Sequence, residues 1–285
     1  MSGRRRADWG GAVVFAVGAS QGIGLAAARA LAGRGAHLAL FARRPALLAE
    51  AVAGVEAARR DASQSVLGQA LDAADPAAAR EGMDAAARAL GPPDLLLNFA
   101  GRARPARFEE IGPAAFDATL RVNLHTAWHA TQAALPHLLE RRATVVNTAS
   151  LAGLIGLYGY TDYAAAKFAV VGFSEALRSE LRPLGVDVRV LCPPDTDTPG
   201  FAEENRTKPA ETAEASAAAP VLSADAVAAA LLRGLAGRRF LIVPGREARA
   251  AALAKRLVPG LVARITDRAV ARAAARLGRP PRRPA

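Results

Sequence analysis

Hydrophobic and polar positions along the chain follow two alternating rhythms. Short apolar or β-branched runs occupy residues 12–17, 37–41, 65–70, 94–98, 144–147, 187–191 and 239–243, and such runs read as strands. Between them lie longer Ala-, Leu- and Arg-rich segments with helical spacing of their apolar positions. Repeated strand–helix units build a parallel sheet covered on both faces. The pattern therefore predicts an α/β fold: a single doubly wound domain over residues 9–245 with a seven-stranded parallel sheet. Two stretches break the rhythm. Residues 193–220 hold turn residues and little periodicity; a loop that long inside a compact domain is usually functional, and residues 195–220 are expected to form a substrate loop or lid. Residues 246–285 form a separate tail, whose Pro-rich end at 278–285 is expected to be disordered. No internal repeat is visible.

Composition agrees with a large buried core. Of the 285 residues, 52% are hydrophobic, which argues against disorder, collagen or coiled coil. The net charge of +11 raises nucleic acid or anionic membrane as partners. Its distribution narrows the choice: residues 246–285 carry eleven basic and two acidic side chains, residues 1–8 add Arg4, Arg5 and Arg6 against Asp8, and the remainder is neutral. A neutral body with 5% aromatic residues offers few stacking platforms, so nucleic acid is not expected. The single cysteine, Cys192, allows no internal disulfide and fits a reducing compartment and a place in the core. There is no run of 18 uncharged apolar residues and no secretory leader pattern, so a cytoplasmic location is expected.

The first strand runs into Gly18-Ala-Ser20-Gln21-Gly22-Ile23-Gly24, and residues 25–33 then have helical composition. Glycines in such a turn let the backbone approach a pyrophosphate, which the amides and dipole of the helix N-terminus bind. An ordinary tight turn could also hold three glycines, but the position between strand and helix favours the phosphate cradle. After the second strand stands Phe41-Ala-Arg43-Arg44. A fold that selects NAD places an acid there for the ribose 2′-hydroxyl. Two guanidiniums and no acid suit a 2′-phosphate and predict NADPH as cofactor; the alternative is a solvated helix entry.

Past the fifth strand come Ser150 and Tyr163-Ala-Ala-Ala-Lys167. Residues four apart share a helix face, which brings the Lys167 ammonium towards the Tyr163 phenol, where a cation lowers a phenol's pKa and suits it to proton transfer. Ser150 would hydrogen-bond the reacting oxygen, and Asn123, in Arg121-Val-Asn-Leu-His125, could hold a water linking Lys167 to solvent. A Tyr-x-x-x-Lys pair arises often by chance. Its combination with Ser150, the glycine turn and Asn98-Phe-Ala100-Gly101 after the fourth strand is far more specific. Four histidines, His37, His125, His129 and His137, include one pair at i, i+4 but no third ligand of suitable spacing, so no metal is expected. Trp9 and Trp128 read as packing.

These residues in this order resemble the short-chain dehydrogenase/reductase family, and the resemblance covers about residues 11–243. It implies a Rossmann-type sheet with NAD(P) across the strand ends and a tetrad of Asn123, Ser150, Tyr163 and Lys167. It also implies that Asp72 contacts the adenine, that Asn98, Ala100 and Gly101 brace sheet and cofactor, that Thr198 holds the nicotinamide carboxamide with Pro193 and Thr196 beside it, and that the chain forms a homodimer or homotetramer. The polar string from Asp195 to Arg206 is unusual for the family and resembles a subgroup that reduces the 3-keto group of a long-chain amino ketone with NADPH in sphingolipid synthesis. The expected substrate is thus a lipophilic ketone, and the acids Asp195, Asp197, Glu203 and Glu204 could face its ammonium or pair within the loop with Arg206 and Lys208. Departures from the subgroup are Gln21 in the phosphate turn, commonly a serine, and Leu47, commonly a lysine. Another lipophilic 3-ketone or 3-ketoacyl substrate, or an NADP-sensing scaffold without activity, are the alternatives.

In the tail, Arg264, Arg268, Arg272 and Arg276 recur every four residues beside Leu261, Val262, Ile265, Ala269, Val270 and Ala273, after a break at Pro259-Gly260. This reads as a basic amphipathic helix that either lies on an anionic membrane as a peripheral contact or packs on the domain.

Overall fold

A computed structural model describes residues 9–217 and 219–278. In chain order the elements are β1 (Val13–Val17), α1 (Gly22–Ala32), β2 (His37–Ala42), α2 (Pro45–Glu56), β3 (Val66–Ala70), α3 (Pro76–Leu90), β4 (Leu95–Asn98), α4 (Pro113–Leu120), α5 (Thr126–Arg141), β5 (Thr144–Thr148), α6 (Thr161–Leu181), β6 (Asp187–Leu191), β7 (Thr196–Asp197), α7 (Pro199–Asn205), α8 (Ala210–Ser216), β8 (Leu222–Ser223), α9 (Ala224–Ala236), β9 (Leu241–Ile242), α10 (Arg246–Leu257) and α11 (Pro259–Arg276). Seven strands form one parallel sheet in the order β3-β2-β1-β4-β5-β6-β9, while β7 and β8 make a separate two-residue pairing. The order reverses between β1 and β4, which opens a crevice at their carboxyl ends.

The sequence explains why these strands lie in the middle. β1 (VVFAV) and β4 (LLLN) are buried at every position, as strands covered by helices on both faces must be. One face packs against α1, α2 and α9 through Leu31, Leu48, Val55 and Leu231; the other packs against α3, α5 and α6 through Met83, Leu138 and Leu181. Alanines at the contacts, such as Ala27, Ala28, Ala130 and Ala134, let the helix axes come close to the sheet. Edge strand β3 alternates in burial.

Buried polar groups tie the layers together. Asn98 Nδ2 donates to Thr131 Oγ1 of α5 at 3.0 Å and to Asn147 Oδ1 of β5 at 2.8 Å. Asn147 Nδ2 donates in turn to Ser174 Oγ of α6 at 2.9 Å. At the other end of the strands, Asp94 accepts the Val13 amide and the Arg141 guanidinium.

Three features differ from the pattern-based reading. The last strand is two residues long rather than five, joined to β6 only at Val190 and Leu191. The segment expected to be an irregular loop contains α7 and α8, each of seven residues. Two turns are too few to show an apolar period. Their start signals are local: the Thr198 side chain accepts the Phe201 amide at 3.1 Å and Pro199 occupies the first turn. The tail breaks at Val258, whose φ and ψ are −135° and 59°, one residue before Pro259 opens α11. α11 packs against α8, buries Ala273 and joins Glu214 through Arg276. The basic residues at 4–6 and the Pro-rich end from 279 lie outside the described residues.

Because Asn147 links a strand to two other elements, Asn147→Ala strands buried amide and hydroxyl groups. It should lower the unfolding free energy by about 2 kcal/mol, measured by urea denaturation; an unchanged midpoint would show that the network contributes nothing.

Candidate active site

A cleft of about 1300 Å³ opens along the carboxyl ends of the strands. Its walls come from the segments after successive strands: Gly18 to Gly24 after β1, Arg43 and Arg44 after β2, Asp72 after β3, Phe99 to Arg102 after β4, Ser150 after β5, and Pro193 to Thr198 after β6. The segment expected to be a lid contributes Phe201, Glu203 and Glu204 of α7 and Ala215 and Ser216 of α8, and α10 contributes Arg246 to Ala248.

The glycine turn has the geometry of a cradle. Gly18 has φ +79°, and a Cβ there would lie 2.4 Å from the Ala100 amide nitrogen, so the β1 and β4 exits are in backbone contact that no side chain permits. A Cβ at Gly24 would lie 2.6 Å from the Gly18 carbonyl, which lets α1 start directly under the turn. The N-cap of α1, Gln21, makes no side-chain cap bond; its Oε1 instead accepts Arg44 at 2.8 Å. The first amides of α1 thus have no capping side chain, and the partial positive charge of the helix end faces the cleft. Arg43 and Arg44 are exposed at the cleft edge. Asp72 accepts the Ala74 amide at 3.0 Å and Arg121 at 3.1 Å; partial burial opposes its charge, but these two donors outweigh burial and hold the carboxyl below its ordinary pKa. Arg121 was not singled out from the sequence, although it opens the segment that contains Asn123.

Ser150, Tyr163 and Lys167 converge in the same cleft. Ser150 accepts the Ala152 amide at 3.1 Å. Asp162, buried in the first turn of α6, accepts the Tyr163 amide at 2.8 Å and the Thr119 hydroxyl at 2.6 Å, which fixes the start of the helix that carries Tyr163 and Lys167. The Lys167 ammonium donates to the Thr148 carbonyl at 2.9 Å and sits 5.6 Å from the centre of the Tyr163 ring. Burial lowers the Lys167 pKa to about 8. The Tyr163 phenol moves opposite to the expectation from spacing. Burial raises its pKa above the ordinary value, the Glu204 and Asp195 carboxylates push the same way, and a hydrogen bond with Ser150 only partly offsets them. Cys192 lies buried in this region, its thiol pushed up to about 12 by burial.

Two residues assigned to the site line no part of the cleft. The Asn98 side chain is turned into the core, bonded to Thr131 and Asn147, where it braces the sheet. Asn123 sits in a π-turn over Arg121–His125; its Nδ2 donates to the Arg102 and Thr119 carbonyls and its Oδ1 accepts the Arg102 amide. Its amide group therefore holds the loop after β4 rather than pointing to the cleft, packed where a Cβ at Gly101 would come within 2.7 Å of Oδ1. Ser20, Gly22, Ile23, Ala100, Gly101, Pro193, Thr196 and Thr198 all line the cleft. Thr196 Oγ1 donates to the Pro194 carbonyl at 2.8 Å and Thr198 Oγ1 to Thr196 at 3.3 Å.

The lid acids separate into distinct environments. Glu203 pairs with Arg206 at 3.1 Å on the exposed side. Asp197 is exposed and does not line the cleft. Glu204 accepts the Tyr160 hydroxyl at 2.5 Å, and the largely buried Lys208 ammonium lies 3.9 Å from both Glu204 and Asp195. Burial raises the Glu204 pKa, opposed by Tyr160 and Lys208. The pairings within the loop with Arg206 and Lys208 are thus formed; Tyr160 is a cleft residue that the sequence reading did not single out, and it stands 6.0 Å ring to ring from Tyr163. Of the histidines, His125 and His129 have ring centres 5.8 Å apart and His129 contacts the Ala74 carbonyl. Among the described residues no three His, Cys, Asp or Glu side chains are grouped to hold a metal.

Comparison with known proteins agrees with this geometry. The short chain dehydrogenase family profile matches residues 12–209. The chain is 41% identical over 204 residues to a 3-dehydrosphinganine reductase of Danio rerio and 39% identical over 204 residues to a 3-ketodihydrosphingosine reductase of Bos taurus. Each match covers 71% of this chain and 61% of the relative's length. Among solved structures, a short chain dehydrogenase/reductase of Burkholderia phymatum in complex with NAD superposes with a TM-score of 0.76 at 28% identity, covering 98% of this chain and 99% of that one. With the sheet order, the glycine cradle and the Ser150, Tyr163 and Lys167 cluster in place, the chain belongs to the short-chain dehydrogenase family.

Proposed function

We propose that the protein is an NADPH-dependent reductase that converts the 3-keto group of 3-ketosphinganine to the alcohol of sphinganine. The observation that carries this reading is the convergence of Ser150, Tyr163 and Lys167 on one cleft with the phosphate cradle at Gly18 to Gly24. The residues present fit a nicotinamide dinucleotide. The backbone contact at Gly18 and the uncapped start of α1 leave room and donors for a pyrophosphate. Arg43 and Arg44 suit a 2′-phosphate, and Thr196 and Thr198 stand where β6 delivers the chain to the far end of the cleft. The substrate assignment is supported by the names of the relatives, a 3-dehydrosphinganine reductase and a 3-ketodihydrosphingosine reductase.

When bound, the nicotinamide supplies a hydride to the carbonyl carbon. Tyr163 gives its hydroxyl proton to the carbonyl oxygen, so the C=O π bond is replaced by one C–H and one O–H bond. Its raised pKa keeps the phenol protonated, the state reduction requires. Ser150 donates a hydrogen bond to the same oxygen and stabilises the charge that develops there. The Lys167 ammonium, charged below about pH 8, stabilises the phenolate left after transfer. Asp195 and Glu204 are the lid acids whose charge is felt at Tyr163. They are the partners we assign to the substrate's ammonium, which would offset their effect on the phenol. A homo-oligomer in the cytoplasm completes the reading; Phe116, Trp128 and Phe168, exposed on α4, α5 and α6, supply apolar surface for pairing.

The test is oxidation of NADPH by pure protein with detergent-dispersed 3-ketosphinganine, set against a 3-ketoacyl thioester; faster turnover of the thioester would replace the assigned substrate. Tyr163→Phe should lower kcat by about a thousandfold with NADPH affinity unchanged, and wild-type turnover by this variant would contradict the assigned proton donor. Replacing Arg43 and Arg44 together with alanine should raise KM for NADPH about tenfold or more while leaving KM for NADH nearly unaltered; equal effects on both would remove the 2′-phosphate assignment. Because Lys167 loses its proton near pH 8, kcat/KM for reduction should fall as pH rises through that value. A profile flat to about pH 10, the ordinary tyrosine range, would show that Lys167 charge is not needed.

A further inference from the structure

The tail helices carry a surface that the reductase reading does not use. Leu253 and Leu257 of α10, Val258 at the break, and Leu261 and Ile265 of α11 are 57%, 67%, 45%, 55% and 55% exposed. Arg249, Arg256, Arg264, Arg268 and Arg272 are exposed among them. Among the described residues none of these five arginines has a carboxylate within ion-pair distance; Arg249 and Arg272 reach only backbone carbonyls of their own helices. The opposite side of α11, with Val262, Thr266, Ala269, Val270 and Ala273 partly or fully buried, is the side turned to the protein.

We propose that the outer face of α10 and α11 docks on an anionic lipid surface. Apolar side chains flanked by long guanidinium-bearing ones match the two layers of a membrane interface, with leucines at the acyl boundary and arginines at the phosphates. A second copy of the chain is a poorer occupant, since two such faces would bring like charges together. The docking element is continuous with the cleft. Arg246, Glu247, Ala248 and Ala251 of α10 line it, and α11 packs on lid helix α8 and grips it through Arg276 and Glu214. α8 in turn holds the cleft rim: Glu211 pairs with Arg107 at 2.7 Å and Thr212 donates to the Tyr158 carbonyl at 2.9 Å. Docking therefore sets the mouth of the cleft at the headgroup level and bears on the lid. The partner deepens the proposed reading, because its ketone is a membrane lipid, but lipid binding can be measured with neither cofactor nor ketone present.

The full chain is sedimented with vesicles of phosphatidylcholine alone and of phosphatidylcholine with phosphatidylglycerol. Binding should require the anionic lipid and weaken with salt. Leu257→Glu with Leu261→Glu and Ile265→Glu should cut the partition coefficient about tenfold or more without changing the melting temperature. Hydrogen exchange of α8 should slow on vesicle binding. Equal sedimentation with both vesicle types, or a triple variant that binds as well as the parent, would overturn the proposal. So would a triple variant that changes the oligomeric state, since the face would then be a protein interface. Unchanged exchange in α8 would overturn the link to the lid. Vesicle binding by a protein that reduces no ketone would count against the reductase reading alone.

Discussion

The cleft exists because two chain segments touch where side chains would keep them apart. Gly18 sits at φ +79° against the Ala100 backbone, and Gly24 against the Gly18 carbonyl. This contact sets the floor at the point where the sheet order reverses between β1 and β4. It aims the start of α1 into the crevice, and it fixes the depth at which Gly101 lies beside Asn123 and Lys167. A methyl group at Gly18 would push the two strand exits apart and open every distance that depends on them. The catalytic cluster stands on α6 and the β5 exit, elements joined to the same strands by the Asn98, Asn147 and Ser174 hydrogen bonds. The glycine turn and the Ser150, Tyr163 and Lys167 cluster are thus tied to the same set of strands.

Burial dominates the electrostatics of that body. It lowers the Lys167 pKa and raises that of Tyr163, so each group is pushed toward its neutral form, as low-dielectric surroundings require. The result is a phenol held in its protonated form. The segment after β6 adds further charged groups. Asp195 and Glu204 share the buried Lys208, and Glu204 also takes the Tyr160 hydroxyl. A cationic substrate entering here would meet carboxylates whose charge is already felt by the proton donor.

Much of this was legible in the sequence, for physical reasons. Buried strands such as β1 and β4 must be apolar throughout, so their runs stand out; a turn that needs glycine announces itself; and residues four apart on a helix are neighbours whatever surrounds them. What escaped depends on distance in the chain or on burial. The Tyr160 and Glu204 pair is separated by 44 residues and the Arg107 and Glu211 pair by 104, and no local pattern records either. The spacing of Tyr163 and Lys167 gives proximity but not desolvation, which reversed the expected shift. The seven-residue helices of the lid are too short to display a period. Asn98 braces the sheet as its motif implied, whereas the Asn123 amide group is engaged with the backbone of Arg102 and Thr119.

The tail shows the same division. Its charge and apolar spacing were plain, whereas its packing on α8 required the fold. Among the described residues no helix is long and apolar enough to cross a membrane. The proposed reaction places a hydride on the ketone carbon of a long-chain amino ketone. It is tested most directly with NADPH deuterated at the transferring position of nicotinamide C4 and 3-ketosphinganine, the product being read by mass spectrometry. The account predicts sphinganine with one deuterium at C3. Unlabelled product, or no product while another ketone takes up the label, would contradict it.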